Sequence, residues 1–246
     1  MMQKGKCKFT KTQMQKLHLE SQMLPAYPKT PHLPHKPNAS DDDIVAQESE
    51  STVIFGSFVT VEEKIDGASV GMSILNDHPI ARNRDHIIHK GFVKNTAAKK
   101  QFASIWNWFY KNEEKFKAVA PYSVYGEWMV AQHGINYTRL PDWFIAYDLY
   151  DPERDLFLSP VEARKLLTAA GFYVPVIRFQ GVFEGGYSEL EELANLPALW
   201  ADSKAEGIYI KVCDGEKLLH RFKMVREDFQ RGIFWDKKQL KKNSCV

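Results

Sequence analysis

Cysteine is scarce in this chain. There are three among 246 residues, Cys7, Cys213 and Cys245. The number is odd and the spacings suit no metal site, so neither a disulfide framework nor a cysteine-ligated zinc module is expected. The thiols read as free, which points to a reducing, cytoplasmic compartment. Long apolar runs are also missing. No stretch approaches the roughly 20 residues of a membrane-spanning helix, and the first residues lack the apolar core of a signal peptide. No membrane partner is expected. A Gly-x-x-x-x-Gly-Lys-Ser/Thr loop is absent, which excludes P-loop kinases and ATPases. No internal repeat is present. One-sided charge is lacking too: 33 Lys and Arg face 31 Asp and Glu, a net +2. Bulk charge therefore argues neither for nor against nucleic acid.

The distribution of charge says more. Lys4, Lys6, Lys8, Lys11 and Lys16 precede the first acidic residue, Glu20, and Lys237, Lys238, Lys241 and Lys242 cluster at the other end. Such ends hold a phosphate backbone or are solvated tails, and both readings stay open. Hydrophobic residues at 44% and charged residues at 26% suit one globular domain with small appendages. The expected organisation is an N-terminal extension over 1–50, a main domain over 51–230 and a basic tail over 231–246. The extension begins with a polar stretch to about residue 25 that suits an amphipathic helix. It then contains "YPKTPHLPHKPN", Tyr27 to Asn38. Its prolines forbid regular helix or central strand. It is a linker or an ordered arm lying across the domain.

From Ser57 the pattern becomes β. "FVTVEEKI" and "ASVGMSIL" are strand-like, with Asp66-Gly67 as a turn signal between them. "IARNR" is a third strand. Ala97 to Val119 is expected to be helical, with Phe102, Ile105, Trp106, Phe109 and Phe116 as core at helical spacing. "YSVYGEWMV" and "WFIAYDLYD" are strands. "SPVEARKLLTAAG" reads as a helix capped by Ser159, with Pro160 in its first turn, Glu162 completing the box and Gly171 at its end. "YVPVIRF" is a strand, and "SELEELANL" an acidic helix with a Ser188/Glu191 capping box. "GIYIKV" and "KLLHRFKMV" form a pair around a second Asp-Gly turn, and "REDFQRGIFW" is expected to end the fold as a helix. The sum is a mixed α+β domain with largely antiparallel sheets.

Polar residues interrupt several of these strands. Lys64 and Asp66, Arg82 and Arg84, Glu127, Glu206 and Lys211, and Arg221 with Lys223 stand among apolar neighbours. Singly, Lys64, Glu127, Arg82 and Arg84 read as solvated surface charges and Lys223 as a guard against edge pairing. Strand alternation puts Ile208 and Ile210 on one face and Tyr209 and Lys211 on the other. It likewise separates Phe222 and Met224 from Arg221 and Lys223. Adjacent cation-bearing faces suit a polyphosphate. Cations near Lys64 would also lower its pKa and favour the neutral amine a nucleophile needs.

In this order, "EKIDG", "ARNR", "YGEW", "FIAYD", "EGIYIK" and "RFKMV" resemble the motifs of the covalent nucleotidyltransferase superfamily of DNA ligases, RNA ligases and mRNA capping enzymes. Motif I of that superfamily is Lys-x-Asp-Gly, and the matched span runs from Lys64 to Val225. With "YPKTPHLP" and "AQHGINYTRLP", the chain is most similar to short RNA ligase domain proteins allied to the RNA ligase 2 branch. Only 21 residues follow Val225, so the fold implied is an adenylyltransferase domain, ATP-grasp-like, with antiparallel sheets flanked by helices and no OB-fold. The resemblance implies an ATP-dependent RNA ligase engaged in RNA repair. Lys64 would carry AMP, Glu127 would bind the ribose and Tyr147 would stack on adenine. Glu62 or Glu63 would place adenine through the backbone. Glu206 would hold Mg²⁺ or Mn²⁺ through water, and Lys211 and Lys223 would contact the α-phosphate. Arg221 stands where the RNA ligase 2 branch often has lysine, and the arginine after motif I is Arg82 or Arg84. His32, His35, His133 and Arg139 are candidate nucleic-acid contacts or structural loop residues, and a monomer is expected. The alternatives are a DNA ligase, a GTP-using capping-type enzyme, or an inactive nucleic-acid-binding relative.

Overall fold

A computed structural model describes residues 24–75, 77–90, 100–234 and 239–246. The stretch expected to be helical before residue 24, the five N-terminal lysines, Cys7, the start of the 97–119 helix, and Lys237 and Lys238 lie outside these residues.

A single helical turn, α1 (Glu48–Ser51), precedes strands β1 (Phe58–Glu63), β2 (Ala68–Leu75) and β3 (His78–Asn83). Helices α2 (Ile105–Lys111) and α3 (Glu113–Ala118) lead into β4 (Ser123–Trp128) and β5 (Phe144–Asp151). Short β6 (Leu156–Phe157), α4 (Pro160–Ala169), β7 (Ile177–Val182) and α5 (Tyr187–Ala194) follow, and the hairpin of β8 (Gly207–Cys213) and β9 (Leu218–Val225) comes last. The strands form two antiparallel sheets, ordered β7-β1-β8-β9 and β3-β2-β4-β5-β6. The α+β class is as expected.

Two-residue periodicity decides what faces what. In the first sheet Val59, Val61, Ile208, Ile210, Phe222 and Met224 pack outward against Leu190 and Ala194 of α5. In the second, Val70, Met72, Val124, Trp128 and Phe144 pack against Phe109, Phe116 and Leu167 of the helices. Burying each such side chain contributes about 1.5–3 kcal/mol. The alternate residues of both sheets then face each other across a cleft. A bulge sharpens this. The β4–β5 register shifts between Tyr125 and Gly126, leaving Tyr147 as the extra residue of β5. The extra residue changes facing parity. Tyr147 and its neighbour Asp148 both meet Lys211 of the other sheet.

Four expectations need correction. Asp66-Gly67 is not a hairpin turn: β1 pairs with β7 and β8, and β2 with β3 and β4. The segment crosses between sheets, and Gly67 is there for space, since a Cβ would lie 2.7 Å from Met129 Sδ. The helix over 97–119 is divided at Asn112, whose side chain takes the Trp108 carbonyl at 2.9 Å. α5 starts two residues early, with Gly186 rather than Ser188 as its cap, because the Glu189 carboxylate accepts the Gly186 N–H at 2.8 Å while Glu191 pairs with His35 and Lys36. Residues 226–234 are turns rather than helix. The Asn38 amide occupies the Arg226 and Phe229 carbonyls, each at 3.0 Å, which a helix would have used. By contrast, Ser159 caps α4 as read, accepting from Glu162 N at 3.3 Å, and Gly171 ends it at φ 84°.

The proline-rich segment is an ordered arm. Lys223 N–H donates to Pro31 O and Leu33 N–H to Lys223 O, both at 2.9 Å. The arm therefore covers β9, an edge strand of its sheet. Near the other end Asn243 is buried, with its amide on Met129 O and Ala131 O and its oxygen taking Tyr137 N–H. Among the described residues, no helix is long and apolar enough to cross a membrane.

Candidate active site

Lys64 leaves the end of β1, with its N–H held by Gly207 O at 2.9 Å. Its side chain is 12% exposed and Nζ lies 2.6 Å from Glu206 Oε2. Gly207 permits this approach of β8 to β9, since a Cβ there would fall 2.0 Å from Met224 O. Asp66, two residues on, accepts the N–H groups of Gly134 and Ile135 at 2.6 and 3.0 Å. It fixes the loop beneath the lysine rather than pairing with it.

The electrostatics reverse the expectation from sequence. Burial disfavours the Lys64 cation, but Glu206, Tyr209, Glu127 and Asp66 outweigh it and hold its pKa above the ordinary value. Lys64 in the unliganded chain is an ammonium. The depressed lysine is Lys223, lowered by burial and by Lys64 despite a 2.6 Å pair with Asp43. Lys211 is committed elsewhere. At 2% exposure its ammonium meets Glu62 Oε2 at 2.7 Å, Asp148 Oδ1 at 2.8 Å and Tyr147 O at 3.0 Å. Those three acceptors use its three donors, so it ties the two sheets together and offers none to a phosphate.

Glu127, Tyr147, Tyr209, Lys223 and Arg84 line one cleft. Arg82 does not reach it: its guanidinium donates to Leu24 O, Asn83 O and Arg84 O. Arg221 stands behind the cleft with its guanidinium over the rings of Tyr27 and Phe157, at 4.7 and 4.2 Å. Of the two motif I glutamates, Glu62 faces inward to Lys211, whereas Glu63 is buried against Arg178 at 2.7 Å. Tyr147 bonds Ser69 Oγ at 3.1 Å and stands 6.4 Å from Tyr209, centroid to centroid.

The candidate nucleic-acid residues scatter. His32 is 1% exposed, with Arg231 at 3.1 Å and Asp43 at 3.5 Å. Burial, then Lys223, pushes its pKa down to about 4. It is an internal residue, not a contact for an external strand, because its ring fills the joint between arm and domain. His35 is partly exposed, paired with Glu191 at 2.8 Å and stacked on Tyr187. His133 sits near Gln101, and Arg139 pairs on the surface with Asp202. Sequence reasoning missed Tyr209, Asp43 and Thr30. Only Tyr209 had a signal, its alternation with Ile208 and Ile210.

Glu127 is 6% exposed and its Oε2 has no hydrogen-bond partner. Burial pushes its pKa up to about 8, with Lys64 opposing and Glu206 and Asp66 adding to the rise. A raised carboxylate pKa favours the folded state below the ordinary pKa, and that advantage is lost as pH rises toward 8. Glu127→Gln should therefore gain in melting temperature relative to wild type between about pH 5 and about pH 9. Parallel melting curves across that range would show that Glu127 does not titrate in this way.

The Glu206 carboxylate supplies the hard oxygen that Mg²⁺ or Mn²⁺ prefers. Among the described residues, no group of three or more His, Cys, Asp or Glu encloses an ion site. One carboxylate fits a cation that keeps much of its water.

The sequence profile of the RNA ligase family matches residues 57–225. The fold is similar to that of Naegleria gruberi RNA ligase with PPi, at TM-score 0.55 and 18% identity over 72% of this chain and 52% of that one. A mutant of the same ligase with ATP and Mn gives TM-score 0.57 and 16% identity over 84% and 61%. Another with AMP and Mn gives 0.54 and 17% over 82% and 61%. The chain therefore spans between 52% and 61% of that ligase's length in these matches. A comparison with curated proteins found no match.

Proposed function

The chain belongs to the RNA ligase family, and on that premise we propose that it is an ATP-dependent RNA ligase acting through a lysyl-AMP intermediate. The observation that carries this reading is Lys64 Nζ, 2.6 Å from Glu206 and 5.4 Å from the ring centroid of Tyr209, which lines a cleft with Glu127, Tyr147 and Lys223.

In the first step the Lys64 amine attacks the α-phosphorus of ATP. The bond to the β-phosphate oxygen breaks, pyrophosphate leaves, and a phosphoramidate joins Lys64 to AMP. The amine must first lose a proton, and Glu206 Oε2 at 2.6 Å is the acceptor in place. Lys223 is the cation for the α-phosphate, since Lys211 has no donor to spare. Glu127 offers a sugar hydroxyl its unpaired oxygen. Tyr147 supplies a ring for the adenine, and Arg84 is the arginine that follows motif I. Glu206 would hold a divalent cation through water, and that cation would neutralise phosphate charge. In the second step a 5′-phosphate oxygen of RNA attacks the AMP phosphorus, the bond to Lys64 breaks, and a 5′-5′ pyrophosphate forms. In the third a 3′-hydroxyl attacks the 5′-phosphorus, AMP departs and the strand is sealed.

Incubation with labelled ATP or GTP, followed by sealing assays on matched RNA and DNA, tests the reading. We expect an adduct with ATP and sealing of RNA over DNA. An adduct with GTP alone would favour a capping-type enzyme, preference for DNA a DNA ligase, and no adduct an inactive binding relative. The reading also places the chain in a reducing cytoplasm as a monomer, the first supported by the free thiols of Cys213 and Cys245.

A further inference from the structure

The cleft has a wall that none of the family motifs supplies. Thr30 and Asp43 of the proline-rich arm line it together with Glu127, Tyr147 and Lys223. The backbone fixes the arm there, because Pro31 O and Leu33 N–H both bond Lys223. Tyr27 anchors its near end, with the hydroxyl donating to Asp148 Oδ2 at 2.5 Å. Asp43 anchors the far part on Lys223 at 2.6 Å and on Arg231 at 2.7 Å.

Thr30 is 7% exposed, yet its Oγ1 has no hydrogen-bond partner. A hydroxyl buried in this way is destabilising unless something satisfies it. Asp43, by contrast, is fully engaged, and Tyr27 and Tyr147 each have a partner. Two cleft-lining residues thus hold buried oxygens without partners: Thr30 on the arm and Glu127 on β4.

We propose that Thr30 is a nucleotide-binding residue, its hydroxyl bonding a polar atom of the same adenine nucleotide that Glu127 holds. The arm is then a functional wall of the site rather than a tether. This deepens the reading given above and rests on it. A packing threonine contributes its methyl group and its backbone; a binding threonine contributes its hydroxyl only when the ligand is present.

Thr30→Val keeps the size and the methyl group and removes the hydroxyl. The unliganded variant should melt at or above the wild-type temperature, because an unsatisfied buried group is gone. KM for ATP in self-adenylylation should rise about threefold to tenfold, the worth of one hydrogen bond. That rise should exceed any fall in kcat, and the upward shift in melting temperature produced by ATP should shrink. Thr30→Ser, which retains the hydroxyl, should restore KM. An unchanged KM and ATP shift in Thr30→Val would overturn the proposal, as would a variant that melts well below wild type. Wild-type protein run alongside keeps the two readings apart. If wild type forms no adduct with ATP, the ligase assignment fails; if it does and Thr30→Val matches it, only the role of Thr30 fails.

Discussion

Lys64→Ala is expected to reduce the covalent AMP adduct to background. No other lysine in the described site stands in its position: Lys211 is locked between two sheets and Lys223 is held by Asp43. Removing the amine removes the only atom positioned to form the bond, so the loss should be complete rather than graded. Lys64→Arg provides the control for folding. It keeps a cation beside Glu206, which Lys64 meets at 2.6 Å, but a guanidinium stays protonated and does not act as the nucleophile. It too should give no adduct, while melting close to wild type. Sealing of RNA that already carries a 5′-adenylate should survive in Lys64→Ala, since the last step makes no bond to the lysine. An adduct that persists in both variants, measured by labelled ATP and mass spectrometry, would move the nucleophile elsewhere. Because Lys64 is an ammonium in the unliganded chain, the wild-type adenylylation rate should rise with pH.

Lys211→Met is expected to cost about 3–5 kcal/mol of folding stability, the range for breaking a buried ion pair by removing one partner. The loss arises because Glu62 and Asp148, 3% and 1% exposed, would be left without their shared cation. Lys211 belongs to β8 and Asp148 to β5, so the same change loosens one sheet against the other. Urea unfolding of wild type and variant measures the deficit. A deficit below about 1 kcal/mol, as for an exposed pair, would show that the cation is not buried in solution.

The contrast between Lys211 and Lys223 shows where sequence reading stops. Both lie on strand faces that alternation assigns to the cleft side, and both are there. Alternation is local, fixed by the two-residue repeat of an extended chain. Which carboxylate meets each lysine is not local. Asp148 is 63 residues from Lys211, and Asp43 is 180 residues from Lys223. Nothing in "EGIYIK" or "RFKMV" distinguishes an ammonium saturated by protein acceptors from one facing a ligand. Arg82 and Arg84 make the same point: the first lies in β3 and the second just past its end, and only the second borders the cleft.

What the sequence by itself determined was the α+β class, the capped helix after Ser159, the apolar sides of β8 and β9, and Lys64 as the residue to test. These rest on short-range pattern and on motifs only a few residues long. Tertiary structure alone decided that Asp66-Gly67 crosses between sheets, that Lys64 is ringed by carboxylates rather than cations, and that the arm walls the cleft. Strand partners and charge neighbours are chosen by the packing of distant segments. Glu206 comes to lie 2.6 Å from Lys64 across 142 residues of chain.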